Sequence, residues 1–342
     1  MSTFVVTGAT GFIGRKLAES LAMDWIEERY KHKVVVLVRD GAPPNSATDV
    51  VRGELEDLRT CERLIAEYQP DGVFHLAAQA IVGIGKRDPF NTLESNVRGT
   101  YNLLEAFRRH RKEGSRMVVA SSDKAYGELP AMASAYTEDM PLEGRGPYDV
   151  SKTCADLIAQ SYGITYGLPI AIIRAGNVYG PGDDDLSRII PSLCDDVIHM
   201  RPLTIRSDGT PIREYLHVWD VVKGYRAAYE KNDLGGRAYN LGTGVAFTVK
   251  GVAEVFFSML EKMSREPTDW MSHAYTRVQS VKTWLWKFKD NPIEILGTRT
   301  GEIQRQVLDP ARAWNELRWG PNIQLIDGLR DTFMDAWHNR PS

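Results

Sequence analysis

Two short runs in this 342-residue chain hold side chains that could move protons to and from an alcohol: Ser122-Asp123-Lys124, and Tyr148-Asp149-Val150-Ser151-Lys152. Tyr148 and Lys152 stand four residues apart, so one turn of helix puts them on the same face. A lysine cation beside a phenol favours the phenolate and lowers its pKa from about 10 towards working pH. Tyr148 can then accept the proton of an alcohol whose carbon gives up hydride, with Ser122 hydrogen-bonding the same oxygen. Once that carbon is a ketone, the neighbouring C–H turns acidic, and Asp123 and Lys124 supply a base and an acid for removing the proton and expelling a hydroxyl. A lysine base must be neutral, which burial favours and an adjacent carboxylate opposes, so the assignment of acid and base stays open. The competing account of Asp123 and Lys124 is an exposed ion pair worth about 0–1 kcal/mol.

These groups need a frame. Short β-branched runs at Phe4–Val6, Val34–Val38, Gly72–Leu76, Met117–Ala120, Pro169–Arg174 and Tyr239–Gly242 alternate with helical patterns around Ile13–Met23, Leu58–Tyr68, Thr92–Arg111 and Ser151–Tyr166. Continuous apolar strands between helices specify a Rossmann-type α/β fold, a doubly wound parallel sheet covered on both faces. After Arg174 the pattern loosens, and Asp183-Asp184-Asp185 reads as a surface loop. The expected division is a dinucleotide-binding domain of residues 1–176 and 214–246, with a smaller C-terminal α/β substrate lobe of residues 177–213 and 247–342. The aromatic stretch from Trp270 to Trp286 reads as a packed insertion, with an oligomer contact as the alternative.

Thr7-Gly8-Ala9-Thr10-Gly11-Phe12-Ile13-Gly14 follows the first strand and opens the first helix. Glycines at these positions allow a tight turn, close backbone approach to a pyrophosphate and close helix–strand packing, with phosphate at the helix N-terminus. At the end of the second strand a carboxylate would read the ribose hydroxyl of NAD, and an arginine the 2′-phosphate of NADP. Arg39-Asp40 offers both signs, so NAD is expected and Arg39 keeps NADP open.

Bulk properties narrow the class. Apolar content of 43 % and charged content of 25 % are ordinary for a globular enzyme, and a net charge of -3 without a strongly basic block argues against nucleic acid as a partner. The stretch Arg108–Lys112 reads as a solvated helix end. Cys61, Cys154 and Cys194 are widely spaced, which fits reduced cytoplasmic thiols, and no metal site is expected from them or from His199, His217 and His273. The first residues run straight into a strand, and no apolar run approaches the ~20 residues of a membrane span. A cytoplasmic protein with no membrane partner is expected.

The glycine turn and Tyr-x-x-x-Lys together resemble the extended short-chain dehydrogenase/reductase superfamily, and further runs resemble its nucleotide-sugar epimerase/dehydratase branch. Those runs are His75–Gln79, Asn96–Thr100, Arg174–Gly182, Arg213–Val218, Arg299–Glu302 and Leu317–Pro321, in order along nearly the whole chain. Ser122-Asp123-Lys124 is most similar to the pattern of CDP-glucose 4,6-dehydratases, as is His75 to Gly83. Epimerases of the branch have small neutral residues there, and dTDP-sugar dehydratases have Thr-Asp-Glu. The Arg213 region and the 270–286 stretch depart from that pattern.

The resemblance implies a nucleotide-sugar 4,6-dehydratase that oxidises C4, eliminates water across C5–C6 and returns hydride to C6. It assigns catalysis to Ser122, Asp123, Lys124, Tyr148 and Lys152. Dinucleotide binding falls to Gly8, Gly11, Phe12, Ile13, Gly14, Arg39, Glu54, Leu55, Leu76, Ala77, Ala78 and Asn96, again with Tyr148 and Lys152. Binding of the nucleoside diphosphate sugar falls to Gln79, Asn177, Arg188, Arg213, Arg299 and Glu302; guanidinium groups suit the diphosphate, and Arg188 equally suits a helix surface. The tryptophans at 219, 314, 319 and 337 read as core. A homodimer through a four-helix bundle is implied by Thr92–Arg111 and Ser151–Tyr166, whose Leu103, Leu104, Phe107, Leu157 and Ile158 equally suit the sheet-facing side. The rival readings are a 4-epimerase and a dinucleotide-binding sensor without turnover.

Overall fold

Runs such as Val34–Val38 and Ile170–Ile173 can only be buried on both faces, and the structure does so. The computed structural model describes residues 1–23, 32–265, 275–298 and 303–339. Seven strands, β1 (Thr3–Thr7), β2 (Lys33–Val38), β3 (Asp49–Arg52), β4 (Gly72–His75), β5 (Arg116–Ala120), β6 (Ile170–Ala175) and β7 (Arg237–Leu241), form one sheet. Its order is β7-β6-β5-β4-β1-β2-β3, with every neighbouring pair parallel. The chain order reverses between β1 and β4, which opens a crevice beyond their carboxyl ends.

Side chains alternate between two cores. Val6, Val36, Phe74, Val118 and Ile173 face α1 (Phe12–Ala22) and, further along, α5 (Val218–Glu230). Val5, Val35, Val73, Met117 and Ile172 face α2 (Leu58–Tyr68), α3 (Gly99–His110) and α4 (Pro147–Tyr166). The period of two along each strand decides which core a residue enters.

Three departures from the sequence pattern have local causes. Strand β3 was not expected, because at this sheet edge only Val51 of its four residues is buried and no apolar run marks it. Helix α4 starts before Ser151, since Pro147 suits the first helical position and Asp149 Oδ2 accepts from Gly146 N at 3.2 Å. The stretch from Thr92 to Arg111 begins earlier as Pro89–Leu93, passes through a wider π turn at Glu94–Arg98 and continues as α3. Leu103, Leu104 and Phe107 are fully buried against the sheet and Ile158 packs on the same core, so of the five positions raised for a dimer only Leu157 is exposed.

The smaller lobe has its own core around Leu193, Phe256, Trp284 and Phe333. Helices Ile189–Ile198, Val249–Arg265, Tyr275–Phe288 and Leu325–Asn339 supply it. Short strands join the lobe to the sheet: Asn177–Tyr179 pairs with Tyr215–His217, and Ile212–Arg213 lies between Phe247–Thr248 and Arg305–Gln306. Ala313, Leu317 and Trp319 pack in the first core of the large sheet, although they lie beyond the boundary at 247. In the 270–286 stretch, Trp284 is buried and donates Nε1–H to Arg201 O at 2.7 Å, whereas Trp286 is exposed; residues 270–274 lie outside the described residues. Trp314 is exposed rather than core. Among the described residues no helix is long and apolar enough to cross a membrane.

One buried cation holds the frame to its site. Arg174 on β6 is 2 % exposed; its Nε and Nη2 each donate at 2.9 Å to the two oxygens of Asp156 on α4. Its Nη1 donates to Tyr126 Oη at 2.8 Å and to Glu138 O at 3.0 Å. Removing one partner of such a pair strands the other charge without water. Asp156→Asn should therefore lower the unfolding free energy by about 3–5 kcal/mol, read as a lower denaturant midpoint at unchanged slope; a loss under ~1 kcal/mol would show that the pair is not structural.

Glu214 is a buried carboxyl that also staples segments. It accepts from Leu308 N and Thr243 N at 2.7 Å and from Gly244 N at 3.1 Å. Burial nevertheless pushes its pKa up from 4.5 to about 7. The folded protein thus keeps a proton that the unfolded chain releases, and this stabilising contribution is lost as pH rises from about 4.5 to about 7. The difference in unfolding free energy between wild type and Glu214→Gln should shrink over that window; a difference independent of pH would contradict the raised pKa.

Candidate active site

The turn after β1 has room for backbone only. Gly8 has φ +74°, and a Cβ there would lie 2.6 Å from Ala77 N; a Cβ on Gly14 would lie 2.1 Å from Gly8 O. Gly11 N donates to Gly8 O at 3.0 Å, closing the turn. Helix α1 then begins with Gly11 at its N-cap and no side chain capping it. First-turn N–H groups left without a cap, above a groove that no Cβ fills, fit the pyrophosphate of a dinucleotide.

Beneath this turn His75 is buried. Its ring bridges Thr7 Oγ1 at 2.8 Å and Thr100 Oγ1 at 2.9 Å, and Thr100 Oγ1 donates onward to Asn96 O at 2.6 Å. The Thr100 hydroxyl is thereby committed as donor, so His75 Nε2–H donates to it and Nδ1 accepts from Thr7. Burial first, then the charge of Lys152, push the His75 pKa down to about 3. It is a neutral strut beneath the turn.

A cleft of about 1420 Å³ runs from the glycine turn over the sheet's carboxyl edge to the smaller lobe. Gly8, Gly11, Phe12, Ile13, Gly14, Arg39, Glu54, Leu55, Leu76, Ala77 and Ala78 all line it. Asn96 does not; it lies behind the wall, where Oδ1 accepts from Gln79 N at 2.7 Å and Nδ2 donates to Gln79 O at 3.0 Å and Ser151 Oγ at 2.8 Å. It thus fixes the loop after β4 to helix α4. Arg39 and Asp40 are exposed and pair with each other at 3.0 Å.

At the other end of the cleft, Ser122, Asp123, Lys124, Tyr148 and Lys152 are brought together. Ser122 ends the run out of β5 and caps a 3-10 turn, Asp123–Tyr126, by accepting from Lys124 N at 3.2 Å. Its hydroxyl donates to Asp123 Oδ1 at 3.1 Å, and its nearness to Tyr148 favours the phenolate. Asp123 and Lys124 do not form the exposed ion pair considered from sequence: Asp123 is buried, and Lys124 Nζ donates to Gln306 Oε1 at 3.1 Å. Lys152 Nζ donates to Ala120 O at 2.9 Å.

Burial dominates the protonation of both helix residues. It pushes Tyr148 up to about 12 against the Ser122 hydrogen bond, and Lys152 down to about 8 against the pull of Asp156. In the protein alone the phenol is thus held above its ordinary value, because desolvation of the phenolate outweighs the groups that favour it. Asp149 is raised too, by burial first, with Lys124 opposing.

On the substrate side, Gln79, Asn177, Arg188 and Arg213 line the cleft. Gln79 is tied to its own loop through Ile81 N and O, and Asn177 Nδ2 donates to Glu214 O at 3.3 Å. Arg188 bonds Asp183 at 3.2 Å and lies 3.5 Å from Asp185, within the acidic loop. Arg213 is buried in the short strand between the lobes. Arg299 and Glu302 lie outside the described residues. Sequence reasoning missed Gln306, Tyr215 and Arg145, which also line the cleft, and Glu214, which braces it. A two-residue strand gives no periodicity, so nothing in the sequence marks Gln306.

A model of the NAD dependent epimerase/dehydratase family matches residues 4–242, and the chain belongs to that family. Over nearly its whole length it is 30 % identical to a dTDP-glucose 4,6-dehydratase of Streptomyces griseus, covering 98 % of this chain and 94 % of the relative. It is 28 % identical to a dTDP-glucose 4,6-dehydratase of Haemophilus influenzae, covering 97 % of each. The crystal structure of UDP-glucose 4-epimerase from Thermotoga maritima, with UDP-glucose, aligns at a TM-score of 0.79 with 26 % identity, covering 97 % of this chain and 98 % of that one.

The glycine turn makes a direct test. A methyl group on Gly14 would overlap the carbonyl that closes the turn. Gly14→Ala should raise the Kd for NAD at least tenfold, about 1.4 kcal/mol, by fluorescence titration of apoprotein; unchanged affinity would exclude this turn as the pyrophosphate site.

Proposed function

We propose that the protein is a nucleoside diphosphate hexose 4,6-dehydratase that yields a 4-keto-6-deoxy sugar nucleotide. The observation that carries this reading is the 3-10 turn after β5: it sets a buried Asp123 and a cleft-facing Lys124 beside the Ser122–Tyr148 pair. An enzyme that only epimerises C4 uses the alcohol-oxidising set and has no work for a second acid–base pair. The dehydratase names of the curated relatives support the reading.

Bound NAD would supply the acceptor for the C4 hydride and its return at C6. Tyr148 takes the C4 hydroxyl proton, with Ser122 holding the same oxygen. Burial raises the Tyr148 pKa, so a positive charge entering the cleft with NAD would favour the phenolate. The C4 ketone acidifies C5–H; Lys124 takes that proton, and Asp123 gives one to the departing C6 hydroxyl. Arg213 and Arg188 grip the diphosphate, the latter by leaving its acidic partners, and Arg299 and Glu302 complete the substrate side.

A homodimer through α3 and α4 is part of the same reading. Leu157 and Ile164, seven residues apart on one face of α4, and Tyr101 on α3 are exposed apolar positions that a second copy would cover. The 4-epimerase remains the second reading, favoured by the likeness to the Thermotoga maritima structure.

Purified protein should release NAD on denaturation, with NADP the outcome that Arg39 would explain. It should convert one member of a panel of dTDP-, CDP-, UDP- and GDP-hexoses to a 4-keto-6-deoxy product and take up solvent deuterium at C5. Lys124→Ala should keep NAD and C4 oxidation but lose about 10²–10⁴-fold in dehydration, while Tyr148→Phe should lose both steps. C4 inversion without exchange at C5 would establish the epimerase instead.

A further inference from the structure

Gln306 and Lys124 are 182 residues apart in sequence and meet in the cleft wall. Strand Arg305–Gln306 pairs in parallel with Ile212–Arg213, and the register puts Gln306 beside Arg213. Gln306 is 1 % exposed. Lys124 can only donate at the 3.1 Å contact, so the amide oxygen faces the lysine and the orientation of the carboxamide is fixed. Nε2, with two N–H donors, then has no hydrogen-bond partner among the described residues. Buried amide donors are nearly always satisfied, and one left open in a ligand cleft marks a partner that arrives with the ligand.

We propose that Gln306 is a positioning and specificity residue of the dehydration step: Oε1 holds Lys124 Nζ, and Nε2 donates to a hydroxyl oxygen of the bound sugar. The inference rests on the dehydratase reading of Lys124. A carboxamide is suited to both tasks. It orients the amine through a neutral acceptor, whereas a carboxylate of the same length would make an ion pair and hold the lysine protonated. It also reads the sugar with a donor, which a carboxylate cannot supply. Charged groups near Lys124 include Asp149 on α4, whose carboxyl feels the lysine, Asp123 in the same turn, and Arg213, beside Gln306 in the strand register.

The test compares Lys124→Ala, Gln306→Met and Gln306→Glu as NAD-loaded protein, on the hexose nucleotide of the dTDP, CDP, UDP and GDP panel that wild type turns over. Gln306→Met should retain NAD and raise KM about tenfold, with C4 oxidation in a single turnover unchanged at saturation. Gln306→Glu, which preserves length and shape, should move the pH at which C5 exchange reaches half its maximum upward by about one unit, because the lysine holds its proton more tightly. Should Gln306→Met fail to retain NAD, the pH profile of Gln306→Glu decides. If Lys124→Ala loses dehydration while both Gln306 variants keep KM within twofold and an unshifted profile, the Gln306 inference falls alone. Equal loss of oxidation and dehydration in the Gln306 variants overturns it as well, since that is the mark of a structural role. If Lys124→Ala still dehydrates, the reading of Lys124 and the inference fall together.

Discussion

The Arg174–Asp156 pair is the constraint on which the site depends. A guanidinium in a dry interior is tolerated only where its donors are matched, and here Asp156, Tyr126 and Glu138 O match them. Asp156 lies on the face of α4 that also carries Tyr148 and Lys152, at successive steps of four residues. Locking Asp156 to β6 therefore fixes the rotation of α4, and with it Tyr148 and Lys152, over the sheet. Tyr126 closes the 3-10 turn that begins at Asp123, and it stacks on Tyr136 at 4.7 Å while donating to Asn240 Oδ1 at 2.8 Å. One cation thus ties together the two runs that hold the chemistry and the last strand of the sheet.

Around that anchor, burial rather than ion pairing sets protonation. Tyr148, Lys152 and His75 are each driven towards their neutral forms, and the polar links between them are hydrogen bonds to hydroxyls and carbonyls. The cleft is also lined by Lys124, Arg188 and Arg213, so what enters it can shift these balances. In the proposed reading, the diphosphate of the substrate draws Arg188 from Asp183.

The fold was legible because its signals are periodic. Continuous apolar strands, alternating helices and the glycine turn fix the parallel sheet, and six of its seven strands stand where the apolar runs lie. The missing strand, β3, sits at an edge where only Val51 needs burial. Leu103, Leu104 and Phe107 suited two faces equally in the sequence, and only packing turned them to the sheet. Asn96 lay in a recognisable run, yet it braces Gln79 and Ser151 from behind the cleft.

By itself the sequence determined which side chains could do chemistry: Tyr148 and Lys152 share a helix face by spacing alone, and Gly8, Gly11 and Gly14 leave room that only backbone can occupy. Local geometry carries such facts. The tertiary structure decided everything that depends on residues far apart in the chain. It buried Asp123, separated it from Lys124, and gave Lys124 a partner in Gln306 from a two-residue strand. It also set the protonation of Tyr148 by burial, because the cost of charging a buried phenol depends on how much of the protein surrounds it.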